Sequence, residues 1–265
     1  MASVFPTSTQ AETIDCTAIT SLPTTITTQG IYCLTGNLST GMTSGNAIEI
    51  QTNNVTIDLN GYKLGGLGAG DTTLTNGIYA ASRKNITIKN GIIRGFFRAI
   101  YLDDNASSGH VVKNILADQN TFAGILVYGT GNTVSNNTIV DTGGSTQNLY
   151  AYGIVASGPG AKVVNNDISQ TTAQSAADAN GIYLILADYC VILNNTITDT
   201  TKDTGSSYAI RIGNSAGVFL RNNQVANADF GIYFASSSGK YFNNLTFDIS
   251  GTAFTGGTAI GGNNN

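Results

Sequence analysis

One short motif recurs along most of this sequence, and its spacing limits the folds that are open to the chain. In the clearest copy, an apolar Gly-Ile-Tyr-Leu segment at residues 181–184 is followed by Asn-Asn-Thr-Ile at residues 194–197. Because apolar residues alternate with a period of two within each copy, the copies are predicted to be β-strands. The isoleucines of the first segment recur at spacings of about 22 to 30 residues, which are typical of solenoids and repeat arrays. They are Ile48, Ile78, Ile100, Ile125, Ile154, Ile182, Ile210 and Ile232.

An asparagine marks a second position in each copy. In a stacked β-solenoid the turns lie about 4.8 Å apart, so equivalent side chains lie above one another. A column of asparagines can then pass hydrogen bonds from turn to turn at a buried corner, which predicts a structural role for them. The predicted inward column is Asn60, Asn90, Asn114, Asn137, Asn166, Asn195, Asn223 and Asn244. Two residues after each comes a mostly apolar residue: Tyr62, Ile92, Leu116, Ile139, Ile168, Ile197, Val225 and Thr246.

The repeat resembles a known superfamily over about residues 30–250. The segments Gly-Ile-Tyr-Cys-Leu at 30–34 and Asn-Val-Thr-Ile-Asp-Leu-Asn-Gly at 54–61 are similar to the entry into secreted bacterial β-helix repeat proteins. The repeat itself resembles the right-handed parallel β-helix superfamily of the pectate-lyase-like kind. The resemblance implies an all-β, single-stranded right-handed parallel β-helix of about eight rungs. We expect an N-terminal cap at 1–45, the β-helix at 46–251, and a closing strand with a tail at 252–265.

The charge and apolar content of the sequence argue against nucleic-acid binding and against a membrane span. Only 11% of the residues are charged and the net charge is −4, without runs of Lys or Arg, which argues against nucleic-acid binding. No apolar run is long enough to predict a membrane span. The chain begins Met-Ala-Ser without an apolar signal region. From the resemblance and the composition we expect a secreted, extracellular protein whose signal has been removed; self-association is left open.

The three cysteines are expected to play two different roles. Cys16 and Cys33 lie close together in the N-terminal segment, where a disulfide could hold the cap. Cys190 falls in a predicted strand and is expected to pack as a small apolar side chain. No metal site is predicted, because the chain lacks a Cys-x-x-Cys pair and Asp103-Asp104 alone is a weak calcium site. The sequence does not identify a cofactor.

The strand that carries the first-column isoleucines is predicted to present tyrosines outward. If each isoleucine points inward, the next residue points outward. That outward column is Glu49, Tyr79, Tyr101, Leu126, Val155, Tyr183, Arg211 and Tyr233. Exposed tyrosines can stack on sugar rings, although aromatic residues also favour strands for reasons unrelated to binding. Tyr79, Tyr101, Tyr183 and Arg211 are the candidate substrate-binding residues.

The candidate catalytic residues are Asp103, Tyr128, Arg98 and His110. In a polysaccharide lyase, Tyr128 or His110 would take the proton, Arg98 would hold a uronate carboxylate, and Asp103 would orient the base. An ionised and unpaired Asp103 would repel a uronate, so a neutral glycan is then expected.

Two structural considerations compete with a catalytic role. A surface salt bridge from Asp103 or Asp104 to Arg83 or Arg98 is an alternative reading of the cluster. Glu49 and Asp103, the only outward acids, are separated by about 12 Å on the predicted register, too far for a glycosidase pair.

Loop lengths place this cluster in a predicted gap. The connections at 65–75 and 141–151 are long, whereas those between them are short. Long loops on one side of a solenoid commonly build its binding face. The two long loops are therefore predicted to wall a gap whose floor carries Tyr101, Asp103 and Tyr128.

Three functions are consistent with these features. The leading hypothesis is a secreted protein that binds or processes a polysaccharide on the tyrosine-bearing strands. The alternative is a non-enzymatic structural or assembly protein, such as a rigid spacer or filament subunit, which the scarcity of outward ionisable residues favours. A third is an enzyme that modifies a small molecule or lipid on the same face. If the protein is an enzyme, a carbohydrate-active one is expected.

Overall fold

The computed structural model describes residues 15–261 and residue 264. These residues form a right-handed parallel β-helix of about nine turns, which confirms the predicted fold and is close to the predicted eight rungs. All strand pairings among them are parallel, and their one helical segment is a short 3-10 helix at Leu67–Ala69. Residues 1–14 of the expected cap, and residues 262, 263 and 265 of the expected tail, lie outside the described part.

Each turn contributes strands to three parallel sheets, which we call sheets I, II and III. Sheet I contains Thr24–Ile26, Asn46–Ile50, Asn76–Ala81, Arg98–Asp103, Ala123–Tyr128, Ala151–Ser157, Ala179–Ile185 and Ser207–Gly213. Sheet II contains Thr17–Ile19, Gly30–Leu34, Val55–Asp58, Thr133–Ser135, Lys162–Val164, Val191–Leu193, Val218–Arg221, Gly239–Phe242 and Thr258–Ala259. Sheet III contains Leu38–Ser39, Lys63–Gly65, Thr138–Gly143, Asp167–Thr172 and Thr196–Thr201.

Four longer strands bend from one sheet into the next. Ile86–Arg94 and Val111–Asp118 run from sheet II into sheet III, and Gln224–Ala235 and Leu245–Thr255 run from sheet III into sheet I. Pairing extends into the N-terminal segment, where Thr24–Ile26 pairs with Asn46–Ile50. The first stacked strands therefore precede residue 46.

The isoleucines that define the sequence repeat form the core. Ile78, Ile100 and Ile125 pair with one another in register, and the column continues to Ile232. All eight members are at most 1% exposed. Fully burying an isoleucine side chain contributes about 2 kcal/mol relative to leaving it in water. A repeating isoleucine thus stabilises every turn at the same point of its cross-section.

Asparagines form a buried ladder at the corner between sheets II and III. Asn137, Asn166, Asn195, Asn223 and Asn244 are at most 2% exposed. Each Oδ1 from Asn166 onward accepts the backbone N–H of the ladder residue one turn earlier, at 2.9–3.0 Å. The ladder continues to Asn264, whose Oδ1 accepts the backbone N–H of Asn244 at 3.0 Å. The predicted inward asparagine column is therefore confirmed for these five residues.

The assignment of Asn60, Asn90 and Asn114 to that ladder is wrong. All three have positive φ, and Asn114 aligns instead with Asn136, the first residue of an Asn-Asn pair. This first position adopts the left-handed conformation, which asparagine tolerates better than most residues. Its exposed side chains form a second ladder, as in the bond from Asn165 Nδ2 to Asn136 Oδ1 at 3.2 Å.

The same one-residue offset affects the residues that follow. In the early turns the inward position next to the corner is Ile93 or Ala117, which align with Ile139. Ile92 and Leu116 are only half-buried. Where a turn carries a single asparagine, the predicted inward positions therefore differ by one residue from the observed ones. A shift of one residue reverses the direction in which a strand side chain points.

The cysteines behave as predicted. Cys16 and Cys33 form a disulfide with Cα atoms 5.8 Å apart, and it links the residue before the first described strand to Gly30–Leu34. Cys190 is free and buried, and burial raises the pKa of its thiol to about 11. Its Sγ accepts the backbone N–H of Ala161 at 3.0 Å, which fits a packed, unreactive thiol.

Within the described residues, no helix has the length and apolar character needed to cross a membrane. The same residues contain no group of three or more His, Cys, Asp or Glu side chains that could hold a metal ion.

The asparagine ladder can be tested with Asn166→Leu. The substitution removes the acceptor of the Asn137 backbone N–H and the donor to the Val134 carbonyl. Each buried polar group left without a partner costs about 1–3 kcal/mol, so we expect a loss of about 3 kcal/mol or more in the free energy of unfolding. Thr172→Val at an exposed position is the control, with a loss below about 1 kcal/mol. Equal shifts of the two urea midpoints would contradict a structural role for the ladder.

Candidate functional site

The strand register of sheet I confirms the predicted outward column. Glu49 pairs with Tyr79, Tyr79 with Tyr101, and the column continues to Tyr233. A further column precedes each inward isoleucine by two residues and was not considered in the sequence analysis. It contains Asn46, Asn76, Arg98, Ala123, Tyr152, Asn180, Tyr208 and Phe230.

Aromatic side chains from these columns and from the preceding corner form one surface, which we call the aromatic face. The rings form three groups, and within each group the centroids of contacting rings lie 4.7–6.3 Å apart. Most of the rings are buried or half-buried against the sheet, whereas Tyr150 is 44% exposed. The aromatic face comprises Tyr79, Phe97, Tyr101, Phe122, Tyr128, Tyr150, Tyr152, Tyr183, Tyr208, Phe230 and Tyr233.

Sequence reasoning missed Phe97, Phe122, Tyr152, Tyr208 and Phe230. Each stands two or three residues before a first-column isoleucine, so the repeat did contain the signal. The prediction followed only the residues after the isoleucine. It did not anticipate that the chain bends at the start of the strand and turns the earlier side chains onto the same face.

Arg98 lies among three of these rings. Its guanidinium carbon is 4.6 Å from the Phe97 ring centroid, 4.5 Å from that of Tyr101 and 5.1 Å from that of Phe122. Nη1 donates a hydrogen bond to Asn76 Oδ1 at 3.2 Å, and the buried Nε has no partner among the described residues. Guanidinium–ring attraction of this kind is stronger when water is excluded. We call Arg98 with these three rings the Arg98 cage.

Arg211 lies four turns further along, in the column that directly follows the inward isoleucines, and it also contacts aromatic rings. Its guanidinium carbon is 4.5 Å from the Tyr208 ring centroid and 5.4 Å from that of Tyr183. Unlike Arg98, it forms a salt bridge, from Nη1 to Asp178 Oδ2 at 3.0 Å. Gly213 leaves room for the Tyr183 hydroxyl, which would lie 3.1 Å from a Cβ at that position. We call Arg211 with these two rings the Arg211 cage.

The carboxylate of Asp103 is held locally. Oδ1 accepts the backbone N–H of Asp104 at 2.7 Å. The adjacent Asp104 bonds to the Ser82 hydroxyl. Among the described residues, neither Arg98 nor Arg83 forms a salt bridge with a carboxylate, so the alternative reading of this cluster as an ion pair is not realised.

The tyrosines around Asp103 have raised pKa values. Burial is the main cause that raises the pKa values of Tyr79, Tyr101 and Tyr128, and the negative charge of Asp103 raises them further. A phenol with a raised pKa stays protonated at neutral pH and donates hydrogen bonds. This argues against Tyr128 as a proton-abstracting base and favours a contact role for all three hydroxyls.

His110 is not on the aromatic face. It lies at the corner that leads into sheet II, is 1% exposed, and its Nδ1 accepts the backbone N–H of Ile86 at 3.2 Å. Burial lowers the pKa of its imidazole to about 4. The expected position at the edge of the site is therefore not realised, because the side chain points into the solenoid.

The two long loops meet each other. The backbone N–H of Thr146 donates to the carbonyl of Asp71 at 3.3 Å, so the loops at 65–75 and 141–151 contact across the short connections. A cavity of about 310 Å³ lies between them, over Gly95, Gln119 and Thr121. The predicted gap thus opens at the corner between sheets III and I, and its lining does not include Tyr101, Asp103 or Tyr128.

Comparisons with known proteins agree with this architecture. Residues 152–264 match the family described as right handed beta helix region. The enzymatically active domain of tailspike protein 2 from bacteriophage CBA120 aligns over 92% of this chain and 42% of its own, with 13% identity and a TM-score of 0.58. The Dettilon tailspike protein aligns over 92% of this chain and 60% of its own, with 14% identity and a TM-score of 0.53.

These similarities establish the fold alone. The chain spans less than two thirds of the length of either tailspike chain. The search of curated proteins gives no match.

The buried state of His110 can be tested by its effect on acid stability. Its pKa falls from 6.5 to about 4 in the folded protein, so its stabilising contribution is complete above pH 6.5 and is lost as the pH falls towards 4. We expect the parent to lose about 2 kcal/mol more than His110→Asn between pH 7 and pH 4.5. The readout is urea unfolding at both pH values. Parallel pH curves for the two proteins would contradict an enclosed neutral imidazole.

Proposed function

We propose that this protein binds a carbohydrate chain on the aromatic face, centred on Tyr101, Asp103 and Tyr128. The observation that carries the proposal is the continuity of the face. Three groups of aromatic rings follow one another along several turns, Arg98 and Arg211 connect these groups, and hydrogen-bonding groups lie between them. A sugar ring offers apolar C–H surfaces and hydroxyls, and a tyrosine complements both with its ring and its phenol.

The pitch of the fold supports an extended ligand. Neighbouring turns are about 4.8 Å apart, so a chain lying along the solenoid axis meets new side chains at every turn. Near Asp103, the carboxylate can accept from sugar hydroxyls, while the protonated Tyr101 and Tyr128 can donate to them. Arg98 adds further donors beside Tyr101.

The same geometry supports binding more directly than cleavage. Glu49 lies two turns and two residues from Asp103, a separation of about 12 Å, which exceeds the spacing used by glycosidases. His110 is enclosed, and Tyr128 is held protonated. Asp103 is then the remaining candidate base on the predicted site, and its carboxylate already accepts the backbone N–H of Asp104.

An extracellular location is part of the proposal. Disulfides such as Cys16–Cys33 persist in oxidising compartments, and polysaccharides are abundant at cell surfaces.

A glycan array tests the proposal with the parent, Tyr101→Ala and a matched control, Tyr189→Ala. Tyr189 is 76% exposed and lies at a corner outside the aromatic face. We expect the parent and the control to bind the same glycans, and Tyr101→Ala to bind them at least about tenfold more weakly, because stacked aromatic side chains dominate such contacts.

Thermal unfolding checks that each variant is folded. An array without binding by the parent would overturn the proposal, and ordered polymers in electron micrographs of the same sample would then favour the assembly function. Equal binding by folded Tyr101→Ala would move the site away from this part of the face.

A further inference from the structure

We infer that the Arg98 cage binds an acidic substituent of the glycan, either a carboxylate or a sulfate ester. The Arg211 cage, in contrast, accepts a neutral part of the glycan chain. This inference rests on the proposed function. The two cages would then give the ligand a direction along the solenoid axis.

The two cages share the packing of a guanidinium on aromatic rings but differ in register and in charge. Arg98 lies two residues before its inward isoleucine and contacts three rings, whereas Arg211 directly follows its inward isoleucine and contacts two. In both, a guanidinium extends from sheet I onto aromatic rings, with ring centroids 4.5–5.4 Å from the guanidinium carbon. In both, the Nε atom is buried and has no partner among the described residues. Each arginine is partly accessible at the surface of the sheet.

The two cages differ in the polar group that contacts each arginine. Asp178 lies 3.0 Å from the Arg211 guanidinium and neutralises it, and its Oδ1 is fixed by the backbone N–H of Ser206 at 3.1 Å. Arg98 instead contacts the neutral amide oxygen of Asn76, at 3.2 Å. Within the described residues, no carboxylate lies within salt-bridge distance of Arg98.

A partly buried guanidinium without a salt-bridge partner favours an anionic ligand. Protein interiors pair their charges because desolvating an isolated ion is costly. The pKa of Arg98 is lowered by that desolvation, although the group remains a cation at neutral pH. Planar N–H donors match carboxylate and sulfate oxygens, and charge-assisted bonds of this kind are stronger than neutral ones.

Asp103 does not prevent an acidic ligand from reaching Arg98. The expectation of a neutral glycan assumed an unpaired Asp103, but its Oδ1 accepts the backbone N–H of Asp104. Asp103 is also at the opposite end of the strand Arg98–Asp103. An acidic group over Arg98 and a sugar hydroxyl at Asp103 can therefore belong to one ligand.

The spacing of the cages requires a chain rather than a single sugar. The register places four turn-to-turn steps between Arg98 and the strand of Arg211. Four steps correspond to about 19 Å along the axis.

Between the two cages, Leu126 and Val155 are buried, and Tyr128, Tyr152 and Tyr183 pack against them. The half-buried rings of these tyrosines suit the less polar faces of intervening sugars.

The test uses the arginine Nε–H resonances in ¹H–¹⁵N NMR spectra of the whole chain. The Arg98 and Arg211 signals are assigned by their loss in Arg98→Gln and Arg211→Gln. The probes are glucuronate, glucose and inorganic sulfate, which separate a sugar carboxylate, a neutral sugar and a free anion. We expect glucuronate to shift the Arg98 signal with at least tenfold higher affinity than glucose, and the shift to weaken as NaCl is raised.

Asp178→Asn is the matched variant, because it removes the counter-charge of Arg211 while keeping an acceptor for Ser206. We expect glucuronate to leave the Arg211 signal unchanged in the parent and to shift it in Asp178→Asn.

The inference is overturned if glucose and glucuronate act equally on Arg98, if only inorganic sulfate acts, or if folded Asp178→Asn gains no response. Each of these results rejects the acidic-group site at Arg98 without testing the proposed function, which the glycan array tests independently. A blank array together with a glucuronate response at Arg98 would instead retain the acidic-group site and reject the extended binding face.

Discussion

Parallel backbone pairing between successive turns is the interaction on which the rest of this structure depends. It places every residue directly above its counterpart in the preceding turn, so one choice of side chain is repeated along the axis. Isoleucine at the inward position of sheet I then produces a continuous apolar column. Asparagine at the corner between sheets II and III satisfies backbone N–H groups that the bend would leave unpaired. Side-chain hydrogen bonds thus continue the pairing where the strands stop.

The outer surface is ordered by the same register. Aromatic residues scattered over more than 150 positions of sequence become one face because the pairing aligns their strands. The inward columns are restricted by packing, whereas the outward columns can vary. This freedom lets Arg211 have a counter-charge, Asp178, where Arg98 contacts the neutral Asn76, while the fold beneath both cages is unchanged. A rigid solenoid with a variable face is well suited to recognising an extended ligand.

Where the sequence analysis was wrong, the cause was local geometry rather than the overall pattern. A turn with one asparagine uses it for the left-handed corner, and a turn with two adds the buried ladder residue. Counting from the isoleucine alone could not separate these two positions, because both occur at the same corner. His110 illustrates a related limit: in the sequence it follows an acidic turn near the site, but its position in the register is inward, beside Ile86. Loop lengths likewise predicted walls, but not the contact between Thr146 and Asp71.

The sequence by itself determined the periodic properties of this protein. Strand identity, the parallel β-solenoid, the isoleucine core, the outward tyrosine column and the Cys16–Cys33 disulfide all follow from repeated or paired residues, whose environments are the same in every turn. Only the tertiary structure decided the aperiodic properties. The bend that brings Phe97 and Phe122 against Arg98, and the loop position that brings Asp178 to Arg211, depend on corners where the strand register is interrupted. At such corners the direction of a side chain is set by backbone conformation and by contacts with distant residues, which sequence spacing does not specify.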